Sequence, residues 1–112
     1  MSYLTLTKRI MQDELTNEEL IECLNIPNVP VLQQTILKLI EKRIQNSNVR
    51  IKLLEYSKYM DNRFKILGLC KLGHLAIYAL KRLDYIEDFQ KLYEELPDED
   101  KEQITILEEA FS

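Results

Sequence analysis

Leu32-Gln33-Gln34-Thr35-Ile36-Leu37-Lys38-Leu39-Ile40-Glu41-Lys42-Arg43-Ile44 is the stretch that decides the fold class. Leu32, Ile36, Leu39, Ile40 and Ile44 fall on one stripe, and Gln33, Gln34, Lys38, Glu41 and Lys42 fall elsewhere. That is the spacing of an amphipathic helix laid on a core, not the alternation of a strand. Upstream, Asn25-Ile26-Pro27-Asn28-Val29-Pro30 interrupts the chain, because neither proline donates a backbone hydrogen bond and each pushes its predecessor out of helical torsions. Pro30 is well placed to start the helix. Gln45-Asn46-Ser47-Asn48 is expected to end it.

Helical signals recur on both sides of this stretch. Thr16-Asn17-Glu18-Glu19 reads as a capping box opening a short helix through Leu24. Tyr3 to Met11 is read as a helix, although Tyr3, Thr5 and Thr7 alternate with Leu4 and Leu6. From Val49 the positions Val49, Leu53, Tyr56 and Met60 recur at helical spacing. Asp61 or Asn62 is expected to cap a further helix holding Ile66, Leu67 and Cys70, closed by Gly73 as a left-handed terminal residue. His74 to Leu83 forms the next, and Tyr85, Ile86, Phe89, Leu92, Tyr93 and Leu96 share a face of the one after. Beyond Pro97, acid at Asp98-Glu99-Asp100 followed by Ile104, Leu107, Ala110 and Phe111 marks a last helix that docks.

Two glycines and three prolines are too few to reverse the strands of an all-β chain of 112 residues. An all-α single domain over residues 1–112 is the expectation. Cys23 and Cys70 lie in apolar stretches, as buried reduced thiols do. The start of the chain lacks a signal-peptide core, and the longest uncharged apolar run, Leu75 to Leu80, is far short of a membrane span. The chain is therefore expected in the cytoplasm and off the membrane.

Leu67-Gly68-Leu69-Cys70-Lys71-Leu72-Gly73, followed by Ala76 and Leu80, resembles the signature of bacterial HEAT-like repeats. Thr35-Ile36-Leu37-Lys38-Leu39-Ile40 repeats part of it upstream, and Asn48-Val49-Arg50 looks like the opening of such a repeat. The resemblance implies antiparallel helix pairs stacked as a short right-handed α-α superhelix. It also implies a scaffold that offers a helical surface to proteins or nucleic acids.

His74 is the single histidine, and no serine, cysteine or carboxylate stands at a spacing that a helix would turn into a nucleophile and base. Cys23, Cys70 and His74 supply three soft ligands with no Cys-x-x-Cys clip, so no metal site is expected. Gly68 and Gly73 stand alone, without the pattern of a phosphate or dinucleotide loop, so no cofactor is expected either.

Charge is the strongest departure from an ordinary composition. Residues 36–82 hold eleven basic and three acidic side chains, whereas residues 83–112 hold two basic and eleven acidic. Arg43, Arg50, Arg63, Lys65, Lys81 and Arg82 are the candidate partner-binding residues, and converging on one face they would suit nucleic acid. The favoured alternative packs the acidic last helices beside the basic middle, so that the fields largely cancel. The function expected is a non-enzymatic adaptor, regulator or immunity-type module that binds a protein. Self-association through an uncovered helix face is compatible with the same sequence.

Overall fold

Ser2 caps the first helix through its hydroxyl, which accepts the Thr5 amide at 3.1 Å. In the computed structural model, which describes residues 2–111, α1 spans Tyr3–Met11, α2 Asn17–Glu22 and α3 Val29–Lys42. The capping box forms as expected: Glu19 donates its amide to the Thr16 hydroxyl at 3.1 Å and returns its carboxylate to the Thr16 amide at 2.9 Å. A 3₁₀ turn, Cys23–Asn25, follows α2. The Asn28 side chain caps α3 by accepting the Val31 amide at 3.1 Å, and Pro30 sits in the first turn, where its missing N–H costs nothing. α4 spans Ser47–Tyr56, capped by Asn46.

Residues 62–73 depart from the expected helix. Asn62–Phe64 is a 3₁₀ turn, and β1 (Lys65–Leu67) pairs antiparallel with β2 (Cys70–Lys71). Gly68 takes φ +56° at the first central position of a two-residue turn, which is glycine's place in a tight hairpin. Gly73 is not a left-handed terminus: it lies in the first turn of α5 (Leu72–Arg82). There a Cβ would stand 2.8 Å from Met60 Sδ and 3.0 Å from the Ser57 carbonyl oxygen. The glycine is needed for close approach, and its amide donates to the Tyr59 carbonyl at 3.0 Å. Gly73→Ala is expected to destabilise by about 1–2 kcal/mol through overpacking, and Gly68→Ala by about 1 kcal/mol through backbone strain. Urea midpoints of the two variants measure both; a neutral Gly73→Ala would show that Met60 and Ser57 yield freely.

α5 is the centre of the fold. Every residue from Leu72 to Leu80 is buried, and the helix packs against α3, α4, α6 (Ile86–Glu94) and α7 (Asp98–Phe111). A helix apolar around most of its girth belongs inside. Leu32, Ile36, Leu39 and Ile40 of α3, Val49 and Leu53 of α4, and Ile104 and Leu107 of α7 complete the core around it. The stripe of α6 is covered less completely, with Phe89 buried and Ile86 left exposed. The chain is thus mostly helical, with one small hairpin among the described residues.

α1, α3 and α5 end alike. After each, a non-glycine residue takes a left-handed conformation: Asp13 at φ 57°, Arg43 at 54° and Asp84 at 66°. Each end closes with the same pair of hydrogen bonds, for example Arg43 N–H to Ile40 and Ile44 N–H to Leu39 after α3. This is the Schellman motif, which satisfies the last carbonyls of a helix.

The tyrosines split between packing and the rim, as their position beside apolar stripes suggests. Tyr56 is buried and its hydroxyl donates to the Leu24 carbonyl. Tyr85 accepts the Asn46 amide at 3.0 Å and donates to the Asn46 carbonyl at 3.2 Å, fastening the start of α4 to the α5–α6 turn.

Candidate interaction surfaces

The six basic candidates do not form one face of free charge. Arg50, on α4, grips Asp88 of α6 with Nε at 2.6 Å and Nη2 at 2.9 Å. The guanidinium holds the Asp88 carboxyl below the usual carboxylate range, and the carboxylate raises Arg50 in turn. Arg63, beside β1, closes on its near neighbour Asp61, which is likewise held low by hydrogen bonds from Arg63. Lys81 of α5 meets Glu108 of α7 at 2.7 Å. Arg82 donates to the Tyr78 hydroxyl and to the Phe111 carbonyl. Arg43 terminates α3 and Lys65 lies on β1, both exposed, with no ion pair among the described residues. The pairs at Arg50 and Lys81 follow the expected cancellation, since each joins the basic middle to the acidic last helices.

His74 receives a partner that local spacing did not disclose. Its ring is fully buried, Nδ1 accepts the Lys71 amide at 2.9 Å, and Nε2 lies 2.8 Å from Asp100 Oδ1 on α7. Because Nδ1 accepts a backbone N–H, the ring proton sits on Nε2 and is donated to the carboxylate. The imidazole stands at the third position of α5, where it performs the N-terminal half of a capping box, and it ties that helix start to α7. Both nitrogens are engaged, so neither is left to take a proton from a nucleophile. The sequence signal for this role is the histidine three residues after the residue preceding the helix.

Cys23 and Cys70 are both buried free thiols, and burial pushes each thiol up. Among the described residues no cluster of three or more His, Cys, Asp or Glu side chains is placed to hold a metal ion. No helix there is long and apolar enough to cross a membrane.

Large apolar side chains are left exposed at Tyr3, Leu4, Met11, Ile51, Leu69, Ile86, Ile106 and Phe111. Leu4 and Met11 lie seven residues apart on one face of α1 and are 68% and 57% exposed. A groove between α1 and α2, about 330 Å³ in volume, is lined by Leu6, Leu15, Cys23 and Ile26 with Arg9, Glu19 and Glu22 at its rim. On the other flank of α2 a second groove of about 220 Å³ runs along α4, lined by Ile21, Glu22, Asn25, Asn48, Ile51 and Lys52. The two share Glu22, and Ile51 is 56% exposed.

A third depression, of about 350 Å³, is walled by Tyr78, Lys81, Arg82 and Glu108 where α5 meets α7. Phe111, 41% exposed, stands beside it with its ring centroid 6.5 Å from that of Tyr78.

No family model, no curated protein and no solved structure matches this chain.

Proposed function

We propose that the chain is a non-enzymatic interaction module, an adaptor, regulator or immunity-type protein, which binds a protein partner across the α1–α2–α4 face. The observation that carries this reading is the pair of grooves meeting at Glu22, one of them lined by the exposed Ile51. Large apolar side chains left in solvent around a concave, polar-rimmed surface suit a protein partner. The engagement of Arg50, Arg63 and Lys81 by carboxylates supports the same reading, because phosphate binding would have to break those pairs. The two segments that carry the HEAT-like resemblance differ locally: residues 35–40 lie in a helix and residues 67–71 in a hairpin and its turn.

The test is capture from the native cell extract with tagged protein and its Ile51→Glu variant, with and without nuclease, at low and moderate salt. Ile51 is exposed enough that the substitution should change stability by no more than about 0.5 kcal/mol. A nuclease-resistant polypeptide held by the wild type and lost by Ile51→Glu is the expected outcome. Nucleic acid held equally by both and released at moderate salt would move the function to the basic surface.

A further inference from the structure

Two arginines of this protein, Arg50 and Arg63, share a geometry that Arg82 leaves unfinished. Arg50 and Arg63 each use the Nε–Nη2 edge of the guanidinium to take an aspartate: Asp88 at 2.6 and 2.9 Å, Asp61 at 3.2 and 3.0 Å. Arg82 is held by its other corner. Its Nη1 donates to the Tyr78 hydroxyl at 2.6 Å and to the Phe111 carbonyl at 2.9 Å, which uses both protons on that nitrogen. The guanidinium carbon lies 5.7 Å from the centroid of the Tyr78 ring, a fully buried residue. The Nε–Nη2 edge makes no hydrogen bond and no ion pair among the described residues.

We infer that Arg82 is a preorganised anchor for a carboxylate, and that the depression it lines takes an acidic peptide segment with a neighbouring apolar side chain. Three observations carry this. A guanidinium fixed at one corner loses little side-chain freedom when its open edge binds, so a planar carboxylate can be gripped bidentately there. The local charge suits a single negative group: Lys81 is neutralised by Glu108 at 2.7 Å, leaving Arg82 as the one cation without a carboxylate among the residues lining the depression. A dianionic phosphate would meet Glu108 with only that one compensating charge. The exposed ring of Phe111 supplies an apolar contact beside the charge, the combination of aromatic and arginine that dominates protein interfaces. The inference rests on the interaction-module reading for the partner's being a protein, and places a contact on a different part of the molecule from the grooves around α2.

The experiment titrates ¹⁵N-labelled protein with a blocked tetrapeptide carrying two glutamates between two leucines. The same peptide with glutamines and inorganic phosphate serve as comparisons. The readouts are the Arg82 Nε–Hε resonance and the backbone amides of 78–82 and 108–111. The glutamate peptide is expected to shift these to saturation, with affinity at least about tenfold higher than that of the glutamine peptide. Arg82→Gln should abolish the response. Arg82→Lys, which retains a donor for the Phe111 carbonyl and keeps α7 capped, should weaken it by about tenfold. Ile51→Glu should respond as the wild type does, so loss of partner capture in that variant and failure of the peptide to bind are separate results. The inference is overturned if the Arg82 resonance does not move, if the glutamine peptide binds equally well, or if Arg82→Lys binds as the wild type does. Tighter binding of phosphate than of the glutamate peptide overturns it as well.

Discussion

His74→Ala is expected to lower stability by about 3 kcal/mol, the sum of a cavity in a fully closed site and two hydrogen bonds left without their partner. The ring is buried on all sides, the Lys71 amide loses its acceptor, and Asp100 loses its donor. Asp100→Asn separates the contributions. An asparagine oxygen still accepts from Nε2 and the ring still fills its space, so the loss should stay below about 1 kcal/mol. Urea unfolding followed by circular dichroism gives both values. A His74→Ala protein as stable as Asp100→Asn would mean that the imidazole is not the post on which α5 and α7 are joined.

Tyr56→Phe is expected to cost about 2 kcal/mol near neutral pH, because the Leu24 carbonyl in the buried interior is left without its donor. The same substitution carries a pH signature. Burial, and after it the charge of Glu55, pushes the Tyr56 hydroxyl from its ordinary value of 10.0 up to about 12. The proton is thus bound more tightly in the folded chain than in the unfolded one. Its stabilising effect is fully present below pH 10 and is lost as pH rises through about 12. The gap between wild type and Tyr56→Phe should therefore close over that window, while lysine titration, common to both proteins, cancels from the difference. A gap that is constant from pH 7 to the alkaline limit of folding would mean that the hydroxyl holds its proton no more tightly in the folded chain than in the unfolded one.

The helices that end in explicit punctuation were legible in the sequence. The Thr16–Glu19 box, Pro27 before α3 with Pro30 in its first turn, and the acid cluster opening α7 each carry a local physical signal, and each stands where that signal puts it. The hairpin was hidden because Ile66, Leu67 and Cys70 have helical spacing, and because Gly73 stands where a helix often stops. The decisive residue was Gly68: a left-handed glycine followed by a single residue before the return strand turns the chain in two steps. The surface was legible only in bulk. The split between a basic middle and an acidic end forecast cancellation, but Arg50 with Asp88 and His74 with Asp100 join residues 38 and 26 positions apart, which no local spacing specifies. The open edge of Arg82 depends on Tyr78 and on the last turn of α7 at once, and so exists only in three dimensions.

The place of α5 along the chain gives synthesis a direction. α3 and α4 bury their apolar stripes against residues 72–82, which leave the ribosome after them. Until that late segment emerges, Val49 and Leu53 of α4 lack the helix they pack against. The core of α3 and α4 is thus closed only once residues 72–82 have been made.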